Sequence, residues 1–467
     1  MKTLFQGSTA IKYTMQAALF TTLLSGCAAG IDEQKHQQQL HTFINQIELP
    51  TKIAQGDEVN WWQQLNSSQL NQLVADALSM NHDLKTSQLQ LQSTIARLGA
   101  QKAQFLPQGD LSVNASRNSL TDNISNQSNA NIAVNWQLDL FGRISALVDA
   151  AAASTMSQAE QLRLLKIEVI SGVVNRFVSY QGNRQKQDII NQQIIALEKS
   201  ISVLTAQVEE GEANELDLNR TRAQLAQQRS ILPEVEYLLY RDLSTLALLT
   251  GRVSSKLNLK TEQGFIDTPL TIILQAANNA IALRPDISEA LYEFSQAHSL
   301  SIAASRALLP DISISAFSGV LATNSAKLSN TTQQWQVAPQ IQWSLLSYPA
   351  LLAQRDAQQL LSEAAYSDYQ QVVLGAISES ELALHLLAKE QQKKQHAQQR
   401  YFYANKAFLQ AEAMYQEGQI PYLSLLDARQ DVLMAQENVV NSATESLHAK
   451  VATYHAFNGR WSYALTR

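Results

Sequence analysis

The sequence predicts a mainly α-helical protein with a small membrane β part, built as two copies of one helix–hairpin–long-helix unit. Three observations predict this. First, the chain repeats itself: Leu106-Pro107 returns as Leu309-Pro310, and Asn81-His82-Asp83-Leu84 as Arg284-Pro285-Asp286-Ile287, both 203 residues on. Further along the spacing is 207, taking Leu138 to Leu345, Gly211 to Gly418 and Arg222 to Arg429. A single four-residue indel in otherwise constant register points to a tandem duplication of two large units, with one longer loop in the second. Second, two segments alternate strictly between apolar and polar residues. Third, residues 143–208 and 350–416 hold almost no helix breakers beyond Gly172, Gly182 and Gly375. At 1.5 Å per residue each would extend roughly 100 Å.

The amino terminus reads as a processing signal. Lys2 and Lys12 lead into the short apolar run Ala17–Leu24, followed by Ser25, Gly26 and Cys27, the single cysteine of the 467 residues. That order is a secretory signal peptide over 1–26, with an apolar core too short to span a bilayer. A lone cysteine makes no intramolecular disulfide and no CxxC site. Leu24-Ser25-Gly26-Cys27 resembles a bacterial lipobox. The resemblance implies cleavage before Cys27, with an S-diacylglycerol and an N-acyl chain on that residue; no other cofactor is expected. Ala28 stands where lipoproteins kept in the inner membrane carry Asp, which points to the outer membrane. Residues 27–66 would be the lipidated N-terminal segment.

Each half then has the same plan: a first repeat over 67–250 and a second over 269–457. The opening helix runs over about 67–104, with Leu70, Leu73, Val74, Ala77 and Leu78 at helical spacing, and over 270–307, where Thr268-Pro269 reads as cap and first position. Both end at a Leu-Pro pair, which the helix ladder cannot pass. A β-hairpin follows, over about 107–140 and 310–346. Its first strands, about 109–117 and 311–320, begin in Asp110-Leu111-Ser112-Val113 and Asp311-Ile312-Ser313-Ile314. In the second strands, Ile132, Val134, Trp136, Leu138 and Leu140 share one face, and in the other half Trp335, Val337, Ile341, Trp343 and Leu345 do. Asn and Gln fill the opposite faces. The Ser/Asn/Thr-rich stretches 118–129 and 321–333 read as polar loops. Each long helix ends near a glycine, Gly211 or Gly418, and returns over about 214–249 and 420–457, with a kink expected at Pro233. An equatorial linker, 251–268, shows no clear pattern, and 458–467 forms a C-terminal tail.

Alternation alone is commoner in a soluble sheet with one wet face. Two features favour a membrane. The strands are about ten residues long, enough to cross a bilayer when tilted. Trp136, Trp335 and Trp343 stand on the apolar face, where a lipid-facing aromatic girdle would put them. Four strands cannot close a barrel, and an open edge cannot sit in lipid. Other chains must complete the sheet, or it does not insert.

These features together resemble the outer-membrane efflux proteins, the TolC-like channels, and most of all their lipoprotein branch. The residues carrying the resemblance are Trp62, Asn81-His82-Asp83-Leu84, Trp136-Gln137-Leu138-Asp139-Leu140-Phe141-Gly142-Arg143, Arg284-Pro285-Asp286-Ile287, Leu309-Pro310, Gly418, Leu425-Leu426-Asp427-Ala428-Arg429 and Gly459-Arg460-Trp461. Each is weak alone, and their order covers about 60–462. The resemblance implies a homotrimer whose chains close a twelve-stranded barrel continued by an α-helical tunnel. It also implies a passive exit duct that works with a periplasmic adaptor (a membrane fusion protein) and an inner-membrane transporter, in outer-membrane lipid. By position it carries over a periplasmic gate at the glycine turns. Asp217 would bond Tyr415 between helices, Asp427 would form a carboxylate ring about the axis, and Arg429 would offset that charge. Ile420 stands where some relatives carry an arginine, so a gate-locking salt bridge from that position is not available.

Other classes fare worse. Net charge is −6 with 16% charged residues and no basic tract, so nucleic acid is not an expected partner. No run of eighteen apolar residues follows the signal, so no transmembrane helix is expected. No GxSxG, HExxH or P-loop occurs, and the eight histidines are scattered; His448 and His455 lie seven apart without an acidic ligand to complete a metal set. An enzyme is therefore not expected. Two alternatives remain: a lipid-anchored periplasmic coiled-coil adaptor without a pore, which would not need the two amphipathic hairpins, and the outer component of a protein (type I) secretion system.

Overall fold

A computed structural model describes residues 60–120, 123–270, 281, 283–323 and 332–457. Chain contacts separate 1–46 from 47–467, and every described residue belongs to the second unit. The signal peptide, Cys27 and the tail 458–467 lie outside the described residues.

The first repeat opens with a 3₁₀ turn, Trp61–Leu65, then helix α1, Ser68–Met80, and helix α2, His82–Lys102. A single helix over 67–104 was the expectation; the chain breaks it at Asn81, which is extended (ψ 127°). Asn81 Oδ1 accepts from the Leu84 amide at 3.0 Å, so the side chain caps α2. Strands β1 (Gln108–Leu120) and β2 (Asn123–Leu138) follow, then α3 (Arg143–Glu209) and α4 (Glu215–Leu249). α4 runs on through Pro233. The second repeat gives α5 (Pro285–Arg306), β3 (Asp311–Thr323), β4 (Thr332–Gln342), α6 (Tyr348–Gln416) and α7 (Tyr422–Ala456).

The four strands form one antiparallel sheet in chain order, β1-β2-β3-β4. β1, β2 and β3 reach further toward the tips than expected, while β2 and β4 stop at Leu138 and Gln342, before Leu140 and Leu345. Polar stretches read as loops stay paired, Asn114 with Asn129 and Arg117 with Asn126, because ladder bonds join backbone groups whatever the side chains are. Residues 121–122 part β1 from β2 in sequence and 324–331 part β3 from β4, so the four extra residues fall between the strands of the second hairpin. The two Asp-led stretches do not superpose residue for residue: Asp110 stands three residues past Pro107, and Asp311 one past Pro310.

The helices form a layer rather than a ball. Next to the sheet the order of packing is α2, α3, α5, α6; beyond the equator it is α4, α3, α7, α6. The main core lies at the equator, where Trp61, Leu70, Val173, Phe177, Leu246, Phe265 and Leu447 cluster. Trp61 stacks on Tyr454 at 4.7 Å, and Phe177 meets Phe265 edge-on at 5.0 Å. The patternless linker proves tightly docked. Gln69 and Gln181 replace its missing backbone partners: Lys260 N donates to Gln69 Oε1 at 2.8 Å and Glu262 N to Gln181 Oε1 at 2.9 Å. Leu345–Gln416 contains one stretch long and apolar enough by composition to cross a bilayer, without an unbroken run of eighteen apolar residues. The packing of α6 along α5 and α7 makes it a wall helix.

Candidate functional site

Directly paired residues project to the same side of a sheet, so register sets what each face carries. On one face Leu111 pairs with Ile132, Ile132 with Ser318 and Ser318 with Trp335; Trp136 pairs with Ile314, and Ile312 with Ile341. The other face takes Gln108, Asn135 and Ser315 in one row, with Asn131, Gly319 and Gln334 in another. The apolar face is open: Leu111 is 73% exposed, Ile341 71% and Trp335 78%. Apolar surface this extensive marks contact with lipid or protein.

Trp136 and Trp335 lie on that face, and Trp343 follows β4 by one residue. Trp136 Nε1 donates to the Phe105 carbonyl at 2.9 Å, and Trp343 Nε1 to the Leu308 carbonyl at 3.1 Å. The two bonds are repeat mates, and each anchors an indole at the helical end of the sheet. Trp335 stands nearer the tips. Eight residues part it from Trp343, roughly 26 Å along a strand and about 20 Å along a membrane normal at barrel tilt.

Sheet and long helix join at Asp139. Its carboxylate accepts from the amides of Ile144 and Ser145, both at 2.8 Å, and so caps α3. Gly142 sits at φ 75°, and a Cβ there would lie 2.7 Å from Arg306 Nη1. That nitrogen donates to the Gly142 carbonyl at 2.5 Å, which ties α5 to the start of α3.

At the equator the repeated motif becomes a tie. Asn81 Nδ2 donates at 3.0 Å to the carbonyl of Leu249, the last residue of α4. Its mate Arg284, 5% exposed, donates at 2.6 Å to the carbonyl of Ala456, the last residue of α7. Arg284 also grips Asp286 with two nitrogens, at 3.0 and 2.7 Å, and reaches Glu379 of α6 at 2.6 Å. Glu379 accepts in turn from His455 at 3.2 Å. The His455 bond, with the Arg284 bond and charge, holds the Glu379 carboxyl down to about 2 against the upward pull of burial. His448 is mostly buried rather than a surface residue. It bonds Asn175 at 2.9 Å and Ser179 at 3.1 Å, and burial pushes its pKa down. Among the described residues no set of three metal-ligating side chains comes together.

At the far end Gly211 (φ 77°) and Gly418 (φ 70°) terminate α3 and α6 in the left-handed conformation. Glu212 N reaches back to Gln207 O at 2.7 Å and Gln419 N to Met414 O at 2.8 Å, the same helix-ending pattern in both repeats. Tyr415 packs edge-on against Tyr422 at 5.5 Å, and Tyr422 lies 3.4 Å from Thr221 Oγ1. Burial, then Tyr422 and the Asp217 carboxylate, raises the Tyr415 pKa, so Asp217 and Tyr415 do share this corner. Asp217 N is capped by Asn214, and the hydrogen bonds among described residues include none between Asp217 and Tyr415. Asp427 is exposed. Arg429 does not turn to it: its guanidinium donates to Ser200 of α3 at 2.9 Å. Arg429 thus ties α7 to α3.

The sequence profile of the outer membrane efflux proteins matches residues 73–252 and 276–459, one segment in each repeat. The chain belongs to that family. It is similar to TtgC of Pseudomonas putida, described as a probable efflux pump outer membrane protein: 25% identical over 470 residues, covering 96% of each chain. It also resembles the pyoverdine export outer membrane protein OpmQ of the same species, 24% identical and covering 86% of this chain and 88% of that one. Among solved structures, the outer-membrane channel OprN superposes with TM-score 0.79 at 24% identity, over 89% of this chain and 99% of that one. MtrE of Neisseria gonorrhoeae, in its open state, superposes with TM-score 0.80 at 17% identity, over 90% and 97%. As an outer membrane efflux protein, the chain resides in the outer membrane and reaches into the periplasm. The family is one of transport channels rather than enzymes.

Proposed function

We propose that three copies of this chain close a twelve-stranded β-barrel in the outer membrane. Below it the helical layers would form one continuous tunnel, a passive exit duct for small molecules driven by an inner-membrane pump through a periplasmic adaptor. One observation carries the reading: a four-stranded sheet with a single continuous apolar face and two unpaired edges, β1 and β4. In this meander β1 and β4 run in opposite directions, so β4 of one copy can pair antiparallel with β1 of the next. Closure removes the edges that lipid forbids. The polar face, with Gln108, Asn131, Asn135 and Gln334, then lines the pore. The tryptophans Trp136, Trp335 and Trp343 mark the interfacial belts. Toluene, antibiotic and pyoverdine in the relatives' names support cargo of small-molecule size.

The lipid on Cys27 would hold the chain to the same membrane. At the periplasmic end Asp427 would repeat around the axis as a carboxylate ring, with Asp217 and Tyr415 steadying the two turns and Arg429 fixing α7 to α3. Native mass spectrometry of the mature protein, followed by planar-bilayer conductance, tests the whole. Trimers passing current are expected, with higher conductance for the D217A/D427A variant. Monomers without current would end the duct reading, and unchanged conductance in the variant would remove both residues from the gate.

A further inference from the structure

Beyond the equator the wall is one helix thick, and α4 and α6 are its two ends. Each has a packed side and an open side. α6 turns Leu387, Glu390, Lys394, Ala397 and Tyr401 inward, all less exposed than their neighbours. About 100° round the helix from that packed side lies an exposed stripe, Lys389, Lys393, His396 and Arg400, at the i, i+4, i+7, i+11 spacing of one helix face. α4 buries Leu225, Val235, Leu239 and Leu246. Its open side presents Tyr237 and Tyr240, 65% and 63% exposed, with the exposed side chains of Glu236 and Arg241 beside them. One edge is therefore basic, and the other aromatic with one charge of each sign.

Heights along the wall follow from contacts already described. Leu249 and Ala456 are repeat mates at the equator, and Ser380 Oγ reaches the Ala456 carbonyl at 3.2 Å, so Leu249 and Ser380 share a level. Below that level, Tyr237 stands twelve residues down α4 and Lys393 thirteen down α6; Tyr240 and Lys389 each stand nine down. Rotation about an axis along the bundle leaves heights unchanged. Tyr237 of one copy would thus come level with Lys393 of the next, and Tyr240 with Lys389.

We propose that the Tyr237–Tyr240 face of α4 is the docking surface for the Lys389–Lys393 stripe of α6 from a second copy of this chain, a cation–π seam that sets the register of the tunnel wall. The proposal rests on the threefold closure above. Lys393 now reaches Glu390 of its own helix at 3.2 Å, a carboxylate only 16% exposed, and Lys389 reaches Gln392 at 3.5 Å; the exposed Lys389 contact reorients at little cost. An ammonium over a tyrosine ring gains more as water leaves the seam.

Cysteine pairs in the otherwise full-length protein test the register, with the wild-type chain controlling for Cys27. Within one chain α3 and α7 stand between the two positions, so a link joins neighbours. On oxidation Y237C/K393C and Y240C/K389C are expected to give covalent dimers and trimers, and Y237C/Y403C, ten residues off along the same stripe, none. K389E/K393E is expected to raise the monomer fraction in detergent several-fold. Trimers that link at Tyr403 instead, or at no α6 position, overturn the seam and leave the face to another partner. So does a K389E/K393E trimer as stable as wild type. A wild-type protein that is monomeric overturns the threefold reading instead.

Discussion

Arg284→Ala is expected to loosen the equator by about 3 kcal/mol. The guanidinium is 5% exposed and makes four hydrogen bonds, two to Asp286, one to Glu379 and one to the Ala456 carbonyl. Truncating one partner of a buried ion pair costs about 3–5 kcal/mol because the other is left uncompensated. Here the carboxylates recover part of that, since the Asp286 side chain is 25% exposed and Glu379 43%, and both can rehydrate. The Ala456 carbonyl keeps only its 3.2 Å bond from Ser380. Two lost carboxylate partners, Asp286 and Glu379, at about 1 kcal/mol each after screening, plus about 1 kcal/mol for the carbonyl, give the figure. Hydrogen exchange by mass spectrometry on the protein in detergent reads it where it should appear, at the last turn of α7 and the first turn of α5. The repeat mate serves as the internal control: Asn81→Ala loses an N-cap and one bond to Leu249, about 2 kcal/mol, at the ends of α4 and α2. Arg284→Ala within about 0.5 kcal/mol of wild type, or protection lost evenly along α7, would refute the tie.

Glu379 gives a pH signature. Its carboxyl is held at about 2, below the unfolded value, so its contribution is complete above about pH 4.5 and fades as pH falls toward 2. Exchange at the α7 end should rise over that window in wild type and stay flat in E379Q; equal pH profiles would remove Glu379 from the tie. The glycines at positive φ should not be equivalent. A Cβ on Gly251 would lie 2.5 Å from the Met80 carbonyl, whereas one on Gly211 meets nothing within 4 Å. Gly211→Ala should cost about 1 kcal/mol from backbone strain alone, and Gly251→Ala clearly more, as thermal unfolding would show. Gly182→Ala should separate α3 from α7, since the new Cβ would approach Thr444 Oγ1; a double variant with Thr444→Ala should restore stability.

Much of the architecture was legible because duplication prints each element twice. The 203 and 207 spacings, read from letters, reappear as paired physical bonds: Asn81 to Leu249 with Arg284 to Ala456, and Trp136 to Phe105 with Trp343 to Leu308. Strand faces were legible because lipid-length alternation is local. Strand ends were not, because past Asn114 both faces turn polar and hydropathy loses the period while the ladder continues. The break at Asn81 hid because its neighbours keep helical spacing on both sides; the signal was a capping side chain followed by acid at Asp83. Glu379 was invisible because its partners, Arg284 and His455, lie 95 and 76 residues away. The Arg429 tie was invisible for the same reason: its partner Ser200 lies 229 residues away.

A wall one helix thick explains why the helices escape an ordinary amphipathic reading. A helix buried on one side shows one apolar stripe. α6 has neighbours on either flank in turn, α5 near the sheet and α7 beyond the equator, and water on the faces between. Its apolar positions therefore migrate around the axis along its length: Tyr369 and Val373 bury toward one end, while Lys389 and Arg400 stand open further down. With no thick core available, stability concentrates where two layers overlap, at the equatorial cluster, the docked linker and the Asn81 and Arg284 ties. The turns at Gly211 and Gly418 are held by a tyrosine pair and a few polar contacts, so that end is the one able to rearrange while the equator stays fixed. In the proposed duct, that division of stability would let the end at the glycine turns open while the equator holds.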